Sequence, residues 1–268
     1  MNRIVLGLEY DGSQFHGWQK QKSVPSIQSV LEKALSTVAD EPIETICAGR
    51  TDAAVHATAQ VVHFDTTRVR QDKAWVLGAN ALLPPAIRVC WAKLTLPSFN
   101  ARRSAIRRRY RYIIYNHAIR PSLMRDYVAW DYRALDHQKM AEAAKSWVGE
   151  HDFSAFRASG CQSHSPIRIL HSLQVVRLGD HIILEFVANA FLQHMVRNMV
   201  GVLLEIGIGE KPVSWARAVL ETRDRRLAGV TALAAGLYLV EVQYPELFGL
   251  PSGAIGPWFL NIGKESVL

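Results

Sequence analysis

The chain has little cysteine. Cys47, Cys90 and Cys161 are scattered along 268 residues, and no two stand at metal-binding or redox spacing. An odd, dispersed set argues against a disulfide framework and for a reducing setting, the cytoplasm. The ten histidines make no H-x-x-x-H pair and no Cys/His cluster, so no metal site is expected. A glycine-rich phosphate loop is missing too, which gives no reason to expect a nucleotide cofactor. No apolar run approaches the roughly 18–20 residues of a membrane span. The first six residues read as a strand that turns polar at Glu9, without the apolar core and cleavage site of a signal peptide. With 49% hydrophobic residues, the chain can build a real core as one large domain or two smaller ones.

Acidic residues are missing from one long stretch. Between Ser98 and Met124 there is no Asp, Glu or Lys, but seven arginines: Arg102, Arg103, Arg107, Arg108, Arg109, Arg111 and Arg120. Net charge is +7 and the pI about 9.4. Arginine forks onto phosphate oxygens better than lysine does. Interleaved with Tyr110, Tyr112 and Tyr115, the block suits a nucleic-acid surface. It also suits a solvated strand face, and charge alone does not decide.

The order of elements is duplicated. Residues 3–10 form a strand closed by Asp11-Gly12, and Phe15 and Trp18 in the next loop suit a core plug better than part of a site. Ser26 caps a helix to about Val38, with Ile27, Leu31, Leu35 and Val38 on one face. Short strand 43–48, a strand through Val61 to Thr66, a helix capped by Asp72 and ended by Pro84-Pro85, and strand 87–96 follow. The second half has strand 106–116, a helix from Asp136 to about Val148, and a polar loop over 151–166. A hairpin of 167–177 with 181–188, helices from about Ala190 and Val213, and strand 237–243 complete it. The fold class expected is α+β. Two ferredoxin-like β-α-β-β-α-β halves, of the kind RNA-recognition modules use, give a mostly antiparallel sheet with helices on one side and a central basic cleft. The expected division is 1–104, 105–245 and a tail, 246–268, that docks on the body or on a second subunit.

The chemistry centres on residues 47–57, Cys-Ala-Gly-Arg-Thr-Asp-Ala-Ala-Val-His-Ala. Small side chains let another molecule approach the backbone. Asp52 sits two residues after Arg50, and a nearby positive charge favours a carboxylate in its anionic form. It is a candidate nucleophile. Local chemistry by itself favours a simpler role, a cap on a short turn at Ala53-Ala54. Arg197 is a candidate partner: it lies in an otherwise apolar helix, where a guanidinium is costly unless paired. The alternative is an arginine at the helix's solvent edge.

Several segments together resemble the A-type tRNA pseudouridine synthases. They are Glu9-Tyr10-Asp11-Gly12, Gly17-Trp18-Gln19, Ala48-Gly49-Arg50-Thr51-Asp52-Ala53, Val55-His56-Ala57 and Phe99-Asn100-Ala101-Arg102. Arg109-Tyr110-Arg111-Tyr112, Asp152-Phe153, His194-Met195-Val196-Arg197-Asn198 and Gly236-Leu237-Tyr238-Leu239 extend the likeness nearly end to end. The resemblance implies isomerisation of uridines 38, 39 and 40 in the tRNA anticodon stem-loop, without a cofactor, by a homodimer. It implies that Asp52 is the nucleophile, that Tyr110 packs on the target base and that Arg197 pairs with the aspartate. Arg50 is then linked to extruding the base. Arg70, the segment Phe99, Asn100, Ala101, Arg102 and Arg103, and the segment Gly160, Cys161, Gln162, Ser163 and His164 are the expected tRNA contacts. One departure stands out: the family usually has glycine where this chain has Ala54. If that position needs φ > 0, alanine costs on the order of 1 kcal/mol. Two rival readings of the residues are a non-catalytic RNA-binding protein, which would tolerate loss of Asp52, and a metal-dependent nuclease, which would need clustered carboxylates.

Overall fold

The computed structural model describes residues 1–253 and 255–260. By its contacts the chain forms two compact units, one of Met1–Ile106 with the chain from Tyr238 onward, the other of Arg107–Leu237.

In the first unit, β1 (Asn2–Tyr10) pairs antiparallel with β3 (His56–Thr66) on one side and with β4 (Ile87–Thr95) on the other. The outer edge of β3 is shared. The two-residue β2 (Ile46–Cys47) pairs antiparallel at Val62 and His63, and β10 (Leu237–Gln243) pairs parallel at His56 and Ala57. The strand order β4-β1-β3-β2 is that of a ferredoxin-like unit. Helix α1 (Ile27–Ala39) starts as its sequence demands: Ser26 accepts from Ser29 N, and the Ser29 hydroxyl accepts from Ser26 N. Its apolar stripe, Ile27, Leu31 and Leu35, is fully buried. In α2 (Asp72–Leu82) the N-cap is Gln71, without a side-chain cap bond. Asp72 is the first helical residue rather than the expected cap, a place where its charge still favours the helix dipole.

In the second unit, β5 (Arg107–Asn116), β9 (His181–Ala188), β8 (Ile167–Leu178) and β7 (Gly149–Asp152) pair antiparallel in that order. A short β6 (Ala129–Asp131) pairs parallel with β5. Helix α3 (His137–Ala144) is capped by Asp136, whose carboxylate accepts from Gln138 N and Lys139 N. It ends sooner than expected, in a 3-10 turn at Lys145–Trp147. Helix α4 (Met195–Gly207) starts five residues later than its apolar period suggests. The Asn189 side chain accepts from Ala190 N and Ile169 N, tying that stretch to the sheet, and His194 enters the helix with φ 62°. Helix α5 is Trp215–Thr222. The element order makes 237–243 the closing strand of the second half, whereas the contacts group it from Tyr238 with the first unit. Among the described residues no helix is long and apolar enough to cross a membrane. The last eight residues of the expected tail lie outside the described residues.

Candidate active site

The segment 48–55 leaves the sheet after β2 and returns as β3. It is pinned by two bonds where it starts. Ala48 N donates to Val61 O, and the buried Gln60 amide donates to Gly49 O at 2.7 Å. Thr51 is buried; its hydroxyl lies 2.8 Å from the Tyr10 hydroxyl, and its carbonyl accepts from Trp18 N. Asp52, half-buried, opens a turn in which Val55 N donates to Asp52 O. The turn thus closes through the backbone of Asp52.

Ala54, at the third position of this turn, has φ 61°. A left-handed third residue is what a type II turn requires, and glycine is the usual occupant. The strain foreseen for alanine is therefore present. Ala54 N donates to Phe15 O, which holds the turn against the preceding loop. That loop can lie so close because of Gly17. It has φ 85°, and a Cβ there would come within 2.7 Å of Thr51 O. Trp18, only 1% exposed, is the core plug the sequence suggested. His56, four residues past Asp52, stacks on Tyr238 at 4.8 Å; its Nδ1 lies 3.2 Å from both Gly12 N and the Asp11 carboxylate. The small residues, buried anchors and crossing loop fix the path of the chain on both sides of one aspartate.

In the second unit, Tyr110 lies on β5 with its ring edge-on to Phe191 at 5.0 Å, and is 8% exposed. Arg197 is half-buried in the first turn of α4, where its Nε donates to Ala232 O at 2.8 Å and its own carbonyl accepts from Ala232 N. Gly201, one turn on, permits this: a Cβ there would meet Val230 O at 1.8 Å, so only glycine lets that loop sit on the helix. Asn198, fully buried, donates to Phe156 O and accepts from Thr231 and Arg225. It joins α4 to both flanking loops.

A family model described as tRNA pseudouridine synthase matches residues 8–93 and 143–245. The matched segments hold both the Asp52 turn and the Arg197 helix. The chain belongs to the tRNA pseudouridine synthase family. That is a family of isomerases. A tRNA pseudouridine synthase A of Coxiella burnetii (strain RSA 331 / Henzerling II) is 54% identical over 260 residues, 97% of this chain and all of the relative. Relatives of the same name from Shewanella denitrificans and Pseudomonas aeruginosa are each 55% identical, covering 96% and 97% of this chain and 99% and 92% of their own lengths.

The other residues singled out by resemblance to this synthase family divide sharply. Arg50, Arg70, Arg102 and Arg103 are exposed. Phe99 and Ala101 are fully buried, so their side chains cannot face RNA. Phe99 packs against His63, Tyr244 and Phe248, while Ala101 N donates to His63 Nδ1. These two anchor a turn. Asn100 shapes it: its side-chain oxygen accepts from Arg102 N and Arg103 N, both at 3.0 Å. The turn thereby lifts the two arginines outward. Arg102 also reaches Cys47 Sγ at 3.8 Å, and burial pushes that thiol up, keeping it protonated. Burial and the nearby Arg3 guanidinium lower His63 to about 4, so it accepts from the turn as a neutral ring.

The synthase's second exposed segment is held from below. Arg157 donates to Cys161 O and Ser163 O, and Arg168 to the Ser163 hydroxyl, which leaves Gly160, Gln162 and His164 exposed. Burial raises the Cys161 thiol, but the Gln193 and Ser163 N–H groups and the Arg157 charge outweigh it and bring it below the ordinary range. Sequence reasoning assigned no part to Asn198 or His63. A buried histidine beside a basic turn leaves no local signal; both emerge only from long-range contacts.

Proposed function

We propose that this isomerase converts uridines 38, 39 and 40 of the tRNA anticodon stem-loop to pseudouridine, with Asp52 as nucleophile. The observation that carries this is the strained, doubly pinned turn at Asp52, lying within the segment matched by the family model. The reaction breaks the N-glycosidic bond, turns the uracil and joins C5 to ribose C1′. The C5 proton leaves and N1 gains one, so atoms balance without oxidant, group donor or cofactor. A carboxylate can form the covalent link at either C1′ or uracil C6. Tyr110 packs on the base and is the candidate acceptor of the late proton, and Arg197 is the basic partner of the aspartate. Taking the base out of the stack costs a few kcal/mol. Arg50 assists that step. The contacts of Arg70, Arg102, Arg103 and the 160–164 segment with tRNA offset it and make binding salt-dependent. The enzyme works in the cytoplasm as a homodimer.

The test is mass spectrometry of tRNA from a strain lacking this chain, with carbodiimide marking to locate pseudouridine. Loss confined to positions 38–40, restored by the gene, is the expected result. Unchanged pseudouridine there would overturn the assignment.

A further inference from the structure

The first unit contains a cavity of about 270 Å³ bounded by the Trp18 loop, the start of α1, β2 and the 100–103 turn. Asp52 is not among the residues that line it. Its size is just under that of ordinary small-ligand pockets, roughly 300–1,000 Å³, and suits a single nucleotide rather than a longer strand. One wall is cationic, from Arg50, Arg102 and Arg103. The other wall includes Gln28 and Thr45, and a buried carboxylate behind it decides what they can offer.

That carboxylate is Glu32, 5% exposed. Its Oε1 accepts from Gln28 Nε2 at 2.9 Å, Thr45 N at 2.9 Å and the Thr45 hydroxyl at 3.1 Å. The second Gln28 amide hydrogen is used as well, on Thr45 O at 3.2 Å. The Gln28 oxygen accepts one bond, from Lys20 N. Counting donors and lone pairs, Gln28 and Thr45 have spent every side-chain hydrogen on the protein. What remains to them is acceptor capacity. The pocket therefore combines hydrogen-bond acceptors, from Gln28 and Thr45, with the guanidinium donors of Arg50, Arg102 and Arg103.

Building on the function proposed above, we infer that this pocket takes one nucleotide of the tRNA other than the target uridine. Its phosphate lies on the arginine wall, and an amino group on its base donates to Gln28 and Thr45. Cytosine, adenine and guanine carry such a group; uracil has none and offers only one ring N–H flanked by two carbonyl oxygens, so it is disfavoured. Unpaired loop bases read along their edges are the usual currency of RNA recognition. Glu32 is a positioning residue: it touches no substrate but fixes which atoms of the wall are left for one.

The test is titration of the full-length protein with CMP and with UMP, followed by NMR of the Gln28 side-chain amide and the Arg102 and Arg103 guanidinium signals. CMP is expected to move these signals at lower concentration than UMP. Thr45→Val, which keeps the shape and removes one acceptor, is expected to weaken CMP about five- to tenfold. Gln28→Met is expected to do the same, and serves if the first variant fails to fold. Signals that do not move, equal response to the two nucleotides, or variants that bind CMP like the parent would overturn the inference. Pseudouridine formation on a tRNA transcript by the unaltered protein is measured alongside. Activity with a silent pocket sinks this inference alone; a responsive pocket without activity sinks the functional reading.

Discussion

Two stretches of one arginine-rich run meet opposite fates. In the turn at 100–104, Arg102 and Arg103 are exposed, and Asn100 spends its side chain on holding them so. On strand β5, Arg109 and Arg111 both bond to Glu185 on the facing strand, and Arg108 is buried with its guanidinium on Asn189 O. The run is uniform in sequence, yet the turn displays its charge, while on the strand Arg107 stays exposed and Arg108, Arg109 and Arg111 are engaged by the protein. Seven arginines without an acid nearby in sequence suit a nucleic-acid surface and a solvated strand face equally. The acid that neutralises part of the run lies 74 residues from Arg111. Local charge counting therefore overstates the displayed charge, which is left to Arg102, Arg103, Arg107 and Arg120.

The largest expected effect separates the two stretches by pH. The turn hangs on neutral His63, whose folded value is lowered to about 4. A group depressed on folding contributes stability fully above its unfolded value, near 6.5, and loses it as pH falls towards the folded value. Stability is expected to drop by up to about 3 kcal/mol between pH 6.5 and 4. Urea midpoints across that range, compared with His63→Gln, check this; a parallel decline in the variant would clear His63. Next, Glu185→Ala leaves two half-buried guanidiniums facing each other without their acid and is expected to cost about 3 kcal/mol. Calorimetry measures that cost. tRNA affinity should stay within twofold, and a large loss of affinity would mean the strand also serves RNA. In the reverse sense, Arg102→Ala with Arg103→Ala should leave stability untouched. It should weaken tRNA binding about tenfold and lower the salt slope by about 2. Filter binding at several salt concentrations reads both, and an unchanged slope would make these arginines mere surface charge. The smallest effect tests the Asp52 turn itself. Ala54→Gly should stabilise by on the order of 1 kcal/mol, because alanine now holds φ 61°. An unchanged or lowered urea midpoint would show that the turn bears no such strain.

Much of the fold is legible where periodicity and caps agree. The α1 stripe with Ser26, the hairpin turning at Gly179 and the alternation along β5 all appear as the residues suggest. What escapes is structure lent by distant partners. β7 reads Gly-Glu-His-Asp, with no apolar alternation, and is a strand because β8 offers it an edge. β6 is three residues long and exists through β5. The start of α4 is displaced because Asn189 binds the preceding backbone to β8, which apolar spacing does not record. At the site, the glycine usual in the family where this chain has Ala54 raises a positive φ as a condition, and the backbone there has φ 61°. The burial of Phe99 and Ala101 cannot be read from the motif, since their neighbours are His63 on β3 and Tyr244 and Phe248 after β10, far away in sequence.

The most direct measurement is tritium release from tRNA labelled at uridine C5, with Asp52→Ala beside the parent protein. The variant is expected to release no label while binding tRNA nearly as well as the parent. Release at the parent rate would contradict Asp52 as the nucleophile.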